Sequence, residues 1–134
     1  MDVLEMVNGN GLYEATYHWQ TTFPSSNCSY PKGHFQQHTA AALGPPWNQT
    51  MHEFAVERGV SHVAFALDGR VMLNITQGTR PSPVFWDVPF YLILNTAIGG
   101  GWPGSPNAST VFPAHHLVDY VRIAHHADAV ADAT

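Results

Sequence analysis

Charge is scarce in this chain. Of its 134 residues only 11% are Asp, Glu, Lys or Arg, five basic against ten acidic, for a net charge of −5 with histidine neutral. An ordinary soluble domain carries roughly 25%. Five cations scattered from Lys32 to Arg122 form no basic stripe able to grip nucleic acid or an anionic membrane, so neither is an expected partner. Long apolar runs are missing too, and nothing approaches the ~20 residues of a membrane-spanning helix. The opening Met1-Asp2-Val3-Leu4-Glu5-Met6-Val7 has neither the basic start nor the apolar stretch of a secretion signal. Cys28 is the only cysteine, and no stretch reads as an amphipathic helix.

What is present points to a β protein from outside the cell. Hydrophobic residues make up 45% of the chain, enough for the core of one domain at most. Ser and Thr fill 17 of 134 positions, so the seven asparagines should meet about one Asn-x-Ser/Thr match by chance; Asn27, Asn48, Asn74 and Asn107 all do. The sequon is the acceptor for N-glycosylation and implies surface turns of a secreted protein. A single cysteine in such a protein suggests a missing partner or a free thiol. With no signal segment, the economical expectation is an absent upstream piece.

Short β-type runs alternate with turn signals. Val3 to Val7 ends in Asn8-Gly9-Asn10-Gly11, and Leu12 to Trp19 is a second strand. Residues 21–48 hold four of the ten prolines and no steady period, which predicts a long loop. Met51 to Glu57 and Val60 to Leu67 are strands, and Asp68-Gly69 predicts a hairpin to Val71 to Ile75. Phe90 to Leu94 reads as a central strand, 99–113 as a Gly/Pro loop, Leu117 to Ile123 as a last strand. Residues 125–134 read as a flexible tail. The pattern predicts an antiparallel sandwich or barrel.

Two carboxylates interrupt the first strand, in Asp2-Val3-Leu4-Glu5-Met6. Burying a charge is costly unless it is paired or used. A regular strand sends Asp2 and Glu5 to opposite faces, whereas a bulge between them brings both onto one. A solvated edge strand is the other account.

The wider pattern decides the weighting. Ala15-Thr16-Tyr17-His18-Trp19, Met51-His52-Glu53-Phe54-Ala55-Val56-Glu57, Phe65-Ala66-Leu67-Asp68-Gly69, the run from Pro89 to Gly100, Trp102-Pro103-Gly104, Ser109 to Pro113 and Val118-Asp119-Tyr120-Val121-Arg122-Ile123 stand in one order. Together they resemble glycoside hydrolase family 16, and its laminarinase-like group in particular. The resemblance implies that residues 1–124 are the C-terminal part of one all-β antiparallel sandwich of the jelly-roll, concanavalin A-like type. It also implies that the N-terminal half of the domain is missing and would be a partner.

The catalytic strand of that family reads Glu-x-Asp-x-x-Glu: nucleophile, assisting aspartate, acid/base. By position Glu5 matches the acid/base and Asp2 the assisting aspartate, while the nucleophile falls one place before Met1. A retaining glycosidase needs two carboxyls roughly 5 to 5.5 Å apart, so the expectation is a chain cut just after its nucleophile and inactive alone. His18 matches a cleft histidine, against an ordinary half-buried one. Trp102 matches an aromatic that stacks on sugar, against a loop anchor. Asn95 would hydrogen-bond a sugar hydroxyl, against a turn cap. Asp119 matches a ligand of a structural calcium, but calcium takes six to eight oxygens and an exposed strand aspartate is the alternative. No cofactor is expected for catalysis. His115-His116 and His125-His126 read as exposed, since neighbours on a strand point opposite ways.

The implied function is hydrolysis of β-1,3- or mixed β-1,3/1,4-glucan, with β-glucan poly- or oligosaccharide as partner. A non-catalytic glucan-binding remnant and a transglycosylase are the alternatives, the latter because the same covalent intermediate can pass to a sugar.

Overall fold

The computed structural model describes residues 1–20, 34–43, 49–80, 82–85 and 88–125, with backbone alone for 20 and 34–38. The chain divides into two compact units, residues 1–92 and 93–134.

All the strands of the described residues lie in the first unit. The strands are β1 (Asp2–Glu5), β2 (Leu12–Gln20), β3 (His34–Ala42), β4 (Phe54–Arg58), β5 (His62–Leu67) and β6 (Arg70–Thr76). They form two three-stranded sheets, ordered β1-β2-β3 and β4-β5-β6, with every pairing antiparallel. The result is an antiparallel β-sandwich that is incomplete by the standard of the jelly roll.

Turn chemistry sets both hairpins. Asn8 and Gly9 take φ of 54° and 59°, the left-handed pair of a tight hairpin turn. Asn10 N–H closes that turn on the Val7 carbonyl at 3.1 Å, and the Asn10 Oδ1 accepts from Leu12 N–H at 2.9 Å. Asp68 and Gly69, at φ of 50° and 76°, do the same between β5 and β6, as the Asp-Gly signal predicts.

The core follows from alternation. Tyr13, Ala15, Tyr17 and Trp19 face inward from β2 and meet Val63, Phe65 and Ile75 from the second sheet, all buried. The Tyr13 and Phe54 rings lie 5.2 Å apart between centroids, bridging the sheets. Tyr17 stacks on Phe85 at 6.2 Å, and its hydroxyl donates to the Val84 carbonyl at 2.6 Å. One long-range contact thereby ties the segment after β6 to the first sheet.

Three expectations need correction. Residues 21–48 are not one loop: His34–Ala42 is β3, paired with β2 over its whole length, from Leu12↔Ala42 to Gln20↔His34. Its sequence HFQQHTAAA lacks apolar alternation, and β2 supplies the ladder that its own pattern does not announce. Phe90 to Leu94 and Leu117 to Ile123 are not strands. Tyr91 is 85% and Ile123 80% exposed. An apolar run becomes a strand only where another backbone accepts its hydrogen bonds, and the described residues give these runs no ladder. Residues 126–134 lie outside the described part, as do Cys28, Asn27 and Asn48.

Among its described residues, 93–125, the second unit has turns but no strand. Gly99, Gly100 and Gly104 take φ of 76°, 126° and 78°, and Gly104 N–H bonds the Gly100 carbonyl at 3.0 Å. Asn107 caps its own turn, its Oδ1 accepting from Ser109 N–H at 2.8 Å and from the Ser109 hydroxyl at 2.7 Å.

Candidate functional site

The carboxylate strand is bulged. Asp2 pairs with Thr16 and Glu5 with Glu14: three steps along β1 answer two along β2, so β1 carries one extra residue between the carboxylates. Residues 14, 16 and 18 alternate with the buried set 13, 15, 17 and 19 and share the outer face of β2. Directly paired residues of a ladder share a face. The bulge therefore sets Asp2 and Glu5 on one face, that of Glu14, Thr16 and His18. The two residues between the carboxylates, Val3 and Leu4, both pack against the core cluster.

Three side chains close the group. His18 Nε2 lies 2.8 Å from Asp2 Oδ2, both partly exposed. Thr16, buried at 5% exposure, donates its hydroxyl to Glu5 Oε2 at 3.5 Å, the far limit of a hydrogen bond. Burial holds the Glu5 carboxyl above its usual 4.5, and the charges of Asp2 and Glu14 push the same way; His18 and the Thr16 hydroxyl oppose them. A raised pKa in a carboxyl beside an aspartate engaged by an imidazole is one feature that suits a proton donor.

The site residues expected from the sequence thus fall into two groups. Asp2, Glu5 and His18 come together. Asn95, Trp102 and Asp119 belong to the second unit, each exposed: Asn95 follows the apolar run and Trp102 sits in the 101–103 turn. Among the described residues no three His, Cys, Asp or Glu side chains gather to hold a metal. His115, His116 and His125 are exposed. Sequence reasoning passed over Glu14 and Thr16. The period of two, counted back from His18, would have found both.

One face of the first sheet thus presents a carboxyl of raised pKa beside an aspartate–histidine pair, groups of the kind that general acid–base chemistry uses. Comparison with known proteins finds similar sequences. The glucan endo-1,3-beta-glucosidase A1 of Niallia circulans is 30% identical over 123 residues, 84% of this chain and 17% of that protein. The beta-glucanase of Rhodothermus marinus is 49% identical over 86 residues, 59% of this chain and 30% of that protein. The clotting factor G alpha subunit of Tachypleus tridentatus is 38% identical over 74 residues, 54% of this chain and 11% of that protein. No family model matches the chain, and no solved structure matches it significantly. The chain is related to the laminarinase-like members of glycoside hydrolase family 16. It spans less than a third of the length of these relatives.

Proposed function

We propose that this chain forms part of the catalytic cleft of an endo-β-glucanase, cleaving internal β-1,3 or mixed β-1,3/1,4 linkages with retention. The observation that carries the reading is the bulge, which sets Asp2 and Glu5 on one face with His18. Glu5 is the acid/base: it protonates the leaving oxygen, then takes a proton from the incoming water. Its raised pKa suits the first role, and formation of the anion suits the second. Asp2 assists, its charge favouring the protonated form of Glu5 while His18 holds its carboxylate in place. Trp102 and Asn95 contribute an aromatic face and an amide to sugar binding.

The nucleophile of the family pattern would stand one place before Met1, outside these 134 residues. A second reading is that the chain binds glucan without cleaving it. Reducing-sugar release from a β-1,3-glucan separates the two. A version extended upstream through a strand bearing glutamate at that place should turn over, and residues 1–134 should not. Equal turnover by both would show that the nucleophile lies elsewhere; turnover by neither, with glucan bound, would favour the binding reading. Transfer to a sugar acceptor in the same assay would mark a transglycosylase.

Secretion and N-glycosylation belong to the same proposal. Exposure of Asn74 and Asn107 supports it. Expression in a eukaryotic secretory host should give a glycan mass on each, and an unmodified secreted product would overturn it.

A further inference from the structure

At the end of the second sheet, where the β4–β5 turn approaches the exit of β6, a depression of about 480 Å³ is lined by Val60, Gln77, Arg80, Ser82, Pro83 and Phe85. This is within the roughly 300–1,000 Å³ of small-molecule sites. None of its residues belongs to the Asp2, Glu5 and His18 group.

Its walls are of two kinds. Phe85, anchored by stacking on Tyr17, supplies the small apolar part of the floor, above a buried Pro83. Val60, 92% exposed, forms the rim. The polar wall holds donors with spare capacity. Arg80 is braced by one nitrogen, Nη1, which donates to the carbonyls of Gln77, Gly78 and Thr79 at 3.2–3.3 Å. A guanidinium has five N–H donors on three nitrogens, so the three on Nε and Nη2 have no partner among the described residues. The same holds for the Gln77 side-chain amide and the Ser82 hydroxyl. The turn preceding this wall is itself tied: Thr79 N–H donates to the Thr76 carbonyl at 3.0 Å, and Thr76 N–H donates to the Thr79 hydroxyl oxygen at 3.2 Å. Arg80 is therefore presented by a formed turn and held by its own bonds before any ligand arrives, which lowers the ordering cost of binding.

A pyranose ring has the complementary surface: an apolar C–H face and a rim of hydroxyls that donate and accept. We propose that the depression is a second saccharide subsite, holding a sugar unit of the glucan chain apart from the carboxylate face. The guanidinium donates to adjacent sugar hydroxyls, Gln77 and Ser82 exchange hydrogen bonds with the next, and Phe85 meets the apolar C–H side of the ring. The assignment of glucan as ligand rests on the hydrolase reading above; the pairing of apolar floor with free donors does not.

Affinity electrophoresis of the wild-type chain in gels containing soluble β-1,3-glucan tests it. Arg80→Ala and Gln77→Ala should each weaken retardation by about threefold to tenfold, the value of one or two net hydrogen bonds. Val60→Trp, which fills the rim and touches no core residue, should do the same. Thermal midpoints of all three should match wild type, separating lost binding from lost folding. Retardation unchanged within twofold in all three variants overturns the subsite, as does a wild-type chain that no glucan retards. Failure of the hydrolase reading shows differently, as no turnover by the upstream-extended chain while the Arg80 and Val60 effects on binding persist.

Discussion

The two faces of β2 run along the same nine residues and have opposite fates. Inward, Tyr13, Ala15, Tyr17 and Trp19 are buried in a core shared by both sheets. Outward, Glu14, Thr16 and His18 share a face with the two carboxylates of β1. The inner face gains its energy by leaving water. The outer face keeps contact with water and accepts strain, with Glu5 held partly desolvated near two other acids. The buried core and the proposed reactive face are thereby separated by one residue of register. A slip of one residue would exchange the faces and end both.

Substitutions on the two faces should therefore fail in different currencies. The largest loss is expected inside. Phe65, fully buried, meets the β2 aromatics from the second sheet, and Phe65→Ala should cost about 3–5 kcal/mol of stability, read as the urea midpoint of unfolding. Outside, Glu5→Gln in the upstream-extended chain should lower glucan turnover by about 10²- to 10⁴-fold with no loss of stability. A parallel fall in the unfolding midpoint would mean that Glu5 serves the fold instead.

Smaller effects sharpen the contrast within the inner face. The Tyr17 hydroxyl donates to Val84, whereas the buried Tyr13 hydroxyl has no hydrogen-bond partner among the described residues. Tyr17→Phe should cost about 1 kcal/mol and Tyr13→Phe should be neutral or stabilising by a similar amount. Equal effects would show that Tyr13 is satisfied after all.

The smallest effects are in pH. The folded Glu5 carboxyl holds its proton above the usual 4.5, so the native state binds more protons than the unfolded chain as pH rises from that value. Stability falls through that window and stays lowered beyond it. Glu5→Gln should remove the decline and raise stability at pH 7 by less than about 1 kcal/mol, since water screens a partly exposed group. Asp68 has the opposite sign. Its carboxylate accepts from His52 Nδ1–H at 2.9 Å and from Glu53 N–H at 2.9 Å, which hold its pKa below the usual 3.8, the His52 bond most of all. That stabilisation is present above 3.8 and is lost as pH falls below it. Asp68→Asn should flatten the acid limb of a thermal-midpoint profile, and an unchanged limb would show that the turn does not depend on this clip.

Much of this was legible in the residues because it is local. The Asn-Gly and Asp-Gly turns need left-handed φ, and these residues tolerate it. The alternation of β2 names its own buried face. Asp2 and Glu5, at an odd spacing in an apolar strand, already required a bulge if they were to act together. Beyond that reach lay whatever depends on a partner backbone. HFQQHTAAA is a strand because β2 lies beside it, and the apolar run Phe90 to Leu94, which looks more like a strand, is none because no described strand pairs with it. The meeting of His18 with Asp2, sixteen residues apart, and the desolvation of Glu5 also depend on the ladder. By itself the sequence determined turns, alternation and the chemical types available. Only the tertiary structure decided which backbones pair and which charges stand together, because hydrogen-bond ladders and desolvation belong to pairs of segments and not to either one alone.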